Sequence, residues 1–244
     1  MFGYCIFACF RASETFLSSG MWGWRGGGLP GTGKGVTHWV DQLKTMSRPP
    51  AAFRNEIQSV LITQSQLARR VKTLAREIQA DYAGRDLLVV ALLTGTVMFL
   101  ADLLRRLTLP LRLDFIGVSS YGAGAESGQL VFTKELRLDA RGRDVLLVDD
   151  ILDTGRTLSK VIVKLRPLGP RDIKICVLLD KPGRRLEKVE ADYVGFTIPN
   201  HFVVGYGLDY AERYRNLPFV GVLQRRLYLA PPQENFTADE AARG

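Results

Sequence analysis

Residues 145–161 read VLLVDDILDTGRTLSKV, and the architecture of the protein follows from this stretch. Four apolar residues end in two adjacent carboxylates, Asp149 and Asp150, and a third carboxylate follows at Asp153. The segment TGRT at 154–157 then opens a helical pattern. A buried strand is therefore followed by a tight glycine turn and a helix N-terminus, where hydroxyls and backbone N–H groups bind a phosphate monoester.

The three carboxylates indicate a second part of the same ligand. Because carboxylates repel phosphate, they serve groups that they attract, which are sugar hydroxyls or Mg²⁺. A ligand with one terminal phosphate, a vicinal diol and a metal-bound pyrophosphate meets every requirement, and 5-phosphoribosyl-1-pyrophosphate is such a ligand. The alternative is a plain helix start, capped by Asp153 or Thr154, with acids near its positive end. That alternative explains one acid rather than three.

Strand and helix patterns alternate along most of the chain. A capping box at Thr63 and Gln66 starts a helix that we expect to reach Tyr82. Strands are predicted at 57–63, 86–95, 111–121, 143–152 and 172–181, and the other helices at 97–107 and 155–169. Such alternation is typical of βαβ units in a mostly parallel sheet flanked by helices. Ligands bind beyond the carboxyl ends of such strands.

The chain divides into three parts. We expect a domain at 51–230, a polar tail at 231–244, and at 1–50 a flexible or mis-assigned N-terminal leader. The leader contains GLPGTGKG at 28–35, which resembles a nucleotide-binding P-loop. Gly35 stands where a P-loop needs a hydroxyl for Mg²⁺, and no strand precedes the motif, so we expect no nucleotide site there.

The composition and net charge limit the classes of function that this chain can have. The 244 residues are 46% hydrophobic and 24% charged, as in an ordinary globular protein, and the net charge is +8. The positive charge fits either nucleic acid or a small polyanionic ligand, but the basic residues are interleaved with acids. Three cysteines suggest no disulfide framework and favour a cytoplasmic location. No stretch has the length of a transmembrane helix, so no membrane partner is expected.

The motif VDDILDTGRT resembles the signature of the type I phosphoribosyltransferase family. Three more stretches carry the resemblance, which covers about 55–229: LLTGTVMFLADLLRRL, DFIGVSSYGAGAESGQ and ADYVGFTIPNHFVVGYGLDYAERYRNLPFVGVL. The last stretch is similar to the hypoxanthine-guanine subgroup. The resemblance implies the type I phosphoribosyltransferase α/β fold, with a small hood for the base, Mg²⁺ as cofactor, and a homodimer or homotetramer.

The resemblance also implies roles on the phosphoribosyl pyrophosphate side. Asp153 would lie near purine N7 as the general base. Asp149 and Asp150 would hold the ribose hydroxyls and, with Asp209, Mg²⁺. The 5′-phosphate would be held by Thr154, Gly155, Arg156 and Thr157, the pyrophosphate by Leu93, Thr94, Gly95 and Arg215, and a lid would begin at Ser120 and Tyr121.

On the base side, the resemblance implies three further residues. Lys181 would donate to purine O6, which favours a carbonyl over an amino group at C6. Phe202 would stack on the base, and the backbone of Val203 would read the base edge. Without the resemblance, Phe202 would also fit a core residue at strand spacing with Val204.

Three positions depart from the family pattern. Asp149 replaces a common Glu, so its reach to the diol is shorter. Thr94 stands where Lys or Arg is frequent, which leaves only backbone contacts to pyrophosphate secure. His201 replaces a Lys, and we assign it no role.

The implied activity is purine salvage, in which a phosphoribosyl group is transferred to hypoxanthine or guanine to give IMP or GMP and pyrophosphate. One alternative is the same chemistry with a preference for xanthine. Another is a regulator that senses phosphoribosyl pyrophosphate and binds nucleic acid. Such a regulator could lose Lys181, the aromatic residue or Asp209, whereas this chain keeps all three. We therefore expect no nucleic-acid partner.

Overall fold

The computed structural model describes residues 48–120 and 130–229. The strands are β1 (Ile57–Ile62), β2 (Leu87–Leu93), β3 (Leu111–Ser120), β4 (Leu130–Lys134), β5 (Asp144–Leu152), β6 (Asp172–Asp180), β7 (Tyr193–Thr197), β8 (Val203–Val204) and β9 (Val220–Leu223). The helices are α1 (Gln64–Asp81), α2 (Val97–Leu104), α3 (Arg156–Leu165) and α4 (Arg225–Leu229). Short 3-10 turns lie at Ala51–Phe53, Arg166–Leu168 and Pro182–Arg184. None of the helices in this part of the chain is long and apolar enough to cross a bilayer.

A six-stranded sheet in the order β4-β3-β2-β5-β6-β7 forms the body of the domain. The pairs from β3 to β7 are parallel, as predicted, and only β4 runs antiparallel, beside β3. Helices cover both faces because the central strands are apolar on both sides. In β2, Leu87, Val89 and Ala91 face the core that includes α1 and α2. Leu88, Val90 and Leu92 face the core that includes α3.

A smaller antiparallel sheet, β1-β9-β8, forms the hood. Its core consists of Ile57, Val204, Tyr214, Leu217, Phe219 and Leu223. The sequence pattern predicted β1 correctly as a strand, but its place in a separate antiparallel sheet breaks the βαβ alternation. The strand that pairs with β1 lies at residues 220–223, far along the chain. The local sequence pattern of β1 cannot indicate so distant a partner.

The predicted start of α1 is confirmed, whereas two other helices end earlier than the sequence pattern indicated. The capping box is present, since Thr63 N donates to Gln66 Oε1 at 2.8 Å and Gln66 N donates to Thr63 Oγ1 at 3.3 Å. Helix α3 ends at Leu165, and the chain then makes one 3-10 turn before Gly169, which has a φ of 73°. Helix α2 ends at Leu104, earlier than the apolar pattern predicted.

Asp114 in β3 is a buried carboxylate that fixes the turn after β4. It accepts hydrogen bonds from Lys134 Nζ and from the backbone N–H groups of Phe115, Arg137 and Leu138, at 2.6–2.9 Å. Burial alone would raise the pKa of this carboxyl, but these donors outweigh burial and hold the pKa well below its usual range. The charged carboxylate therefore stabilises the fold above about pH 4, and this contribution is lost as the pH falls.

We expect Asp114→Asn to lower the free energy of unfolding by roughly 2–3 kcal/mol at pH 7, because a charged acceptor with four donors is lost. The difference between parent and variant should shrink as the pH falls below about 4, because the carboxyl of the unfolded parent becomes protonated there while the folded one stays charged to lower pH. Urea denaturation at pH 7 and at acidic pH measures both values. A difference that does not change with pH would contradict the assignment.

Candidate active site

The predicted site residues meet at the carboxyl ends of the parallel strands. A smaller cavity of about 240 Å³ lies over the loop between β5 and α3. A larger cavity of about 710 Å³ lies between this edge of the sheet and the hood. Ile151 and Asp153 line both cavities, so the two spaces are neighbours along β5.

The loop between β5 and α3 presents a helix N-terminus to the smaller cavity. Gly155 is the residue before the helix, with a φ of 83°, and has no side chain that could cap the helix N-terminus. Thr154 Oγ1 accepts only a long bond of 3.4 Å from Arg156 N. Because φ is positive and a Cβ on Gly155 would lie 3.3 Å from Glu187, the turn favours glycine. An uncapped helix start with nearby hydroxyls is a suitable cradle for an anion.

Asp149 and Asp150 are adjacent carboxylates near the end of β5. Asp149 is buried, and its Oδ1 accepts bonds from Asp150 N at 3.0 Å and from the Thr96 hydroxyl at 3.4 Å. Burial, and then repulsion from Asp150, raise the pKa of Asp149. Burial also raises the pKa of Asp150, although hydrogen bonds and the charge of Arg215 oppose this. The pair therefore favours a partner that donates hydrogen bonds or carries positive charge.

Asp153 has a carboxylate oxygen that the surrounding protein leaves available. Within the part of the chain that the structure describes, its Oδ1 is buried and has no hydrogen-bond partner. The nearest cation is Arg184, whose Nε lies 3.5 Å from Oδ1 in an ion pair too long for a hydrogen bond. Buried carboxylate oxygens rarely lack a partner, so this atom is poised to accept a proton or hydrogen bond from a ligand.

Lys181 lies at the end of β6 and lines the larger cavity. Its backbone N–H donates to Leu152 O at 2.9 Å, which ties the start of its loop to β5. The residue is only 6% exposed, and burial lowers the pKa of its ammonium, while the charge of Asp153 opposes this effect. A buried ammonium facing a cavity is a strong donor for a carbonyl oxygen.

The segment from Leu93 to Gly95 packs directly against the acid pair. The Leu93–Thr94 peptide bond is cis, and the Thr94 side chain is exposed. A Cβ added to Gly95 would overlap Oδ2 of Asp150 and lie 2.8 Å from its Cγ. Gly95 therefore allows a close approach between this loop and β5.

A hood loop lies on the other side of Gly95. Gly207 has a φ of 103°, and a Cβ there would overlap the carbonyl oxygen of Gly95. In the same loop, Arg215 NH1 lies 2.9 Å from Asp209 Oδ1 and donates to Gly207 O at 2.9 Å. Asp209 Oδ2 accepts from Glu212 N at 3.0 Å. The two predicted residues of this loop are therefore paired with each other.

Phe202 lies on the aromatic side of the larger cavity. Phe202 is 36% exposed, precedes β8 and is not a core residue. One ring stacks on it, that of Tyr228, with centroids 4.8 Å apart and planes at 21°. Val203 is buried, pairs with Val222 and lines the same cavity.

The structure brings most of the predicted residues to these two cavities. The smaller cavity is lined by Leu93, Gly95, Asp149, Asp150, Asp153, Thr154, Gly155 and Thr157. The larger cavity is lined by Asp153, Lys181, Phe202 and Val203. Thr94 and Arg156 are exposed and line neither, Ser120 ends β3, and Tyr121 lies outside the described residues. Sequence reasoning missed Thr96, Arg184, Gly207 and Tyr228, of which only Gly207, inside the motif VVGYGLDY, had a visible signal.

The donor set of the acid pair suits Mg²⁺ when substrate oxygens complete the coordination. Among residues 48–120 and 130–229, no group of three or more His, Cys, Asp or Glu side chains could hold an ion alone. Mg²⁺ is commonly bound by one or two carboxylates together with substrate phosphates. The buried Asp149 and the half-buried Asp150, each with a pKa raised chiefly by burial, fit that pattern.

These features suit a ligand that carries a phosphate group and hydrogen-bond donors, and comparison with known proteins gives the family. The phosphoribosyl transferase domain family matches residues 60–211, which is more than half of the chain. The chain belongs to the phosphoribosyltransferase family.

Its relatives point to the hypoxanthine-guanine group. The hypoxanthine-guanine phosphoribosyltransferase of Mycobacterium avium is 44% identical over 196 residues, which are 78% of this chain and 97% of that protein. A crystal structure of a hypoxanthine phosphoribosyltransferase from Staphylococcus aureus has a TM-score of 0.71 at 41% identity, and covers 75% of this chain and 100% of that one. The bifunctional protein TilS/HprT of Listeria innocua is 48% identical over 178 residues, and the match spans only 28% of that longer protein.

The predicted fold class and the predicted family are confirmed by these comparisons. The roles of single residues stay predictions, as does the division at 51–230.

Proposed function

We propose that this protein transfers the 5-phosphoribosyl group of phosphoribosyl pyrophosphate to hypoxanthine or guanine, giving IMP or GMP and pyrophosphate. The observation that carries the proposal is the position of Asp153, between a phosphate cradle and a cavity with a buried lysine. The family and its hypoxanthine-guanine relatives support the same activity. The xanthine preference remains an alternative within this class, whereas nothing in the comparisons favours the regulator.

Each group of residues has a binding role that follows from its chemistry. The 5′-phosphate would bind the first turn of α3, and the ribose hydroxyls would donate to Asp149 and Asp150. Pyrophosphate would contact backbone N–H groups near Gly95 and the guanidinium of Arg215. Such fixed contacts orient C1′ toward the base, which is the main gain from positioning.

Proton handling is assigned to Asp153. As the base attacks C1′, positive charge develops on the purine, and the free Oδ1 would accept or share the N7 proton. Lys181 would donate to O6 at the same time and hold the purine in place. Asp149, Asp150 and Asp209 would hold Mg²⁺, which when bound neutralises the pyrophosphate leaving group. Closing the site excludes water, which would otherwise hydrolyse the activated sugar.

Location and assembly remain predictions. A cytoplasmic setting rests on cysteine usage, and within the described residues Cys176 is a free, buried thiol. A homodimer or homotetramer rests on the family resemblance, and light scattering of the purified protein would measure it.

A base panel tests the proposed function. With phosphoribosyl pyrophosphate and Mg²⁺, we expect guanine and hypoxanthine to be used and adenine to be rejected on the order of 10⁴-fold in kcat/KM, because the Lys181 donor would face an amino group. Pyrophosphate release, with chromatographic identification of the nucleotide, gives the ratios. Xanthine in the same panel distinguishes the alternative.

Lys181→Gln is the matched variant, since an amide can either donate or accept. We expect it to reduce discrimination between guanine and adenine. Comparable turnover of adenine by the parent would overturn the assignment of the base pocket.

A further inference from the structure

Phe202 is a half-exposed ring that the apolar cores do not hold. It belongs to none of the three core clusters of the described residues. Its neighbours in the chain, Val203 and Val204, are buried in the hood, but its own ring faces the larger cavity. A stacking ring that rotates freely loses conformational entropy when a ligand binds, which weakens binding.

Two tyrosines from other segments contact this ring. Tyr228 of α4 stacks on Phe202 with centroids 4.8 Å apart, and Tyr210 of the hood loop meets it edge-on at 5.5 Å and 90°. The Tyr210 hydroxyl also donates to Leu227 O at 2.8 Å, which joins the hood loop to α4. The hood loop and α4 thus meet at the ring of Phe202.

Helix α4 is itself attached to the hood. Gln224 N, just before the helix, donates to Glu56 O at 2.8 Å, and Arg226 contacts Asn55 O. Leu227 and Tyr228 pack on the hood core. Tyr228 is therefore a fixed element beside the cavity rather than a mobile side chain.

We infer that Tyr228 is a positioning residue for the purine, because it holds Phe202 in the orientation in which that ring stacks on the base. Tyr228 lines the same cavity as Lys181 and Asp153, so it acts where the base would lie. The inference rests on the proposed function and deepens it: α4 becomes a part of the base site. Offset stacking between aromatic rings prefers the spacing seen here, and such pairs contribute beyond their buried area.

The test compares Tyr228→Leu, which removes the ring, with Tyr228→Phe, which keeps it. We expect Tyr228→Leu to raise the KM for guanine roughly two- to tenfold, the size of one aromatic pair, and to leave the KM for phosphoribosyl pyrophosphate unchanged. Tyr228→Phe should match the parent. Calorimetric titration with GMP should show the same loss of affinity without any need for turnover.

The outcomes distinguish a failure of this inference from a failure of the proposed function. If the parent neither uses guanine nor binds GMP, the proposed function itself is rejected. If the parent does both and Tyr228→Leu has the parent's KM for guanine, or raises the KM for both substrates equally, the inference is wrong. A lower KM for guanine would also overturn it, since Tyr228 would then compete with the base. If Tyr228→Leu does not fold, Tyr228→Met repeats the test, because it also removes the ring.

Discussion

Asp153→Asn is expected to lower kcat by about 10²–10⁴-fold, the usual contribution of general acid–base catalysis. An amide cannot accept the proton that the buried Asp153 Oδ1, which has no hydrogen-bond partner among the described residues, is placed to receive. The KM for phosphoribosyl pyrophosphate should stay near the parent value, because the phosphate contacts are assigned to residues 154–157. Steady-state kinetics with guanine and with hypoxanthine measures both constants.

Asp149→Asn is the matched comparison, since it removes a nearby carboxylate of a different assigned role. We expect it to raise the KM for phosphoribosyl pyrophosphate more than it lowers kcat, because the ribose hydroxyls lose an acceptor. If Asp153→Asn turns over near the parent rate with both bases, Asp153 is not the general base and that role must be reassigned.

Gly95→Ala is expected to reduce kcat/KM for phosphoribosyl pyrophosphate by about 10²-fold, the cost of misplacing a substrate-positioning group by roughly 1 Å. The new methyl would overlap Oδ2 of Asp150, so this carboxylate, which lines the smaller cavity, must shift from its place. The KM for guanine should change little, because Asp150 does not line the larger cavity. Initial rates at varied concentrations of each substrate test the expectation.

Gly183→Ala is the control for adding a methyl group, since a Cβ at Gly183 meets nothing within 4 Å. It should have the parent's kinetics. Should Gly95→Ala keep kcat/KM within threefold of the parent, the close approach to Asp150 would have no bearing on the substrate site. Thermal unfolding of each variant separates a local change from loss of the fold.

The sequence predicted a feature correctly where all the residues that cause it lie in one short segment. The run from Val145 to Asp150 is apolar and then acidic, which defines a buried strand with a polar end in any fold of this class. The capping box at Thr63 likewise needs only four residues. The same holds for the TGRT turn, since Gly155 has the positive φ that its place before α3 requires.

It failed where a feature depends on residues far apart in the chain. Tyr228 lies in a five-residue helix with no strong periodicity, and its contact with Phe202 is visible only in the folded structure. The close approach of Gly207 to Gly95 likewise could not be predicted from the sequence. The pairing of Asp209 with Arg215 depends on a loop in which Tyr206, Ala211, Glu212 and Tyr214 have positive φ, a conformation that residue propensities do not predict.

The pairing of β1 with β9 determines the order in which the two sheets can form during synthesis on the ribosome. The six-stranded sheet has all its members once β7 has emerged, whereas Ile57 must wait for Leu223 to be synthesised before the hood can close. Closing so long a loop is slow, although its entropic cost grows only with the logarithm of its length. The nascent chain can thus complete the cradle at the β5–α3 loop first. The wall of the larger cavity that β9 and α4 supply comes last.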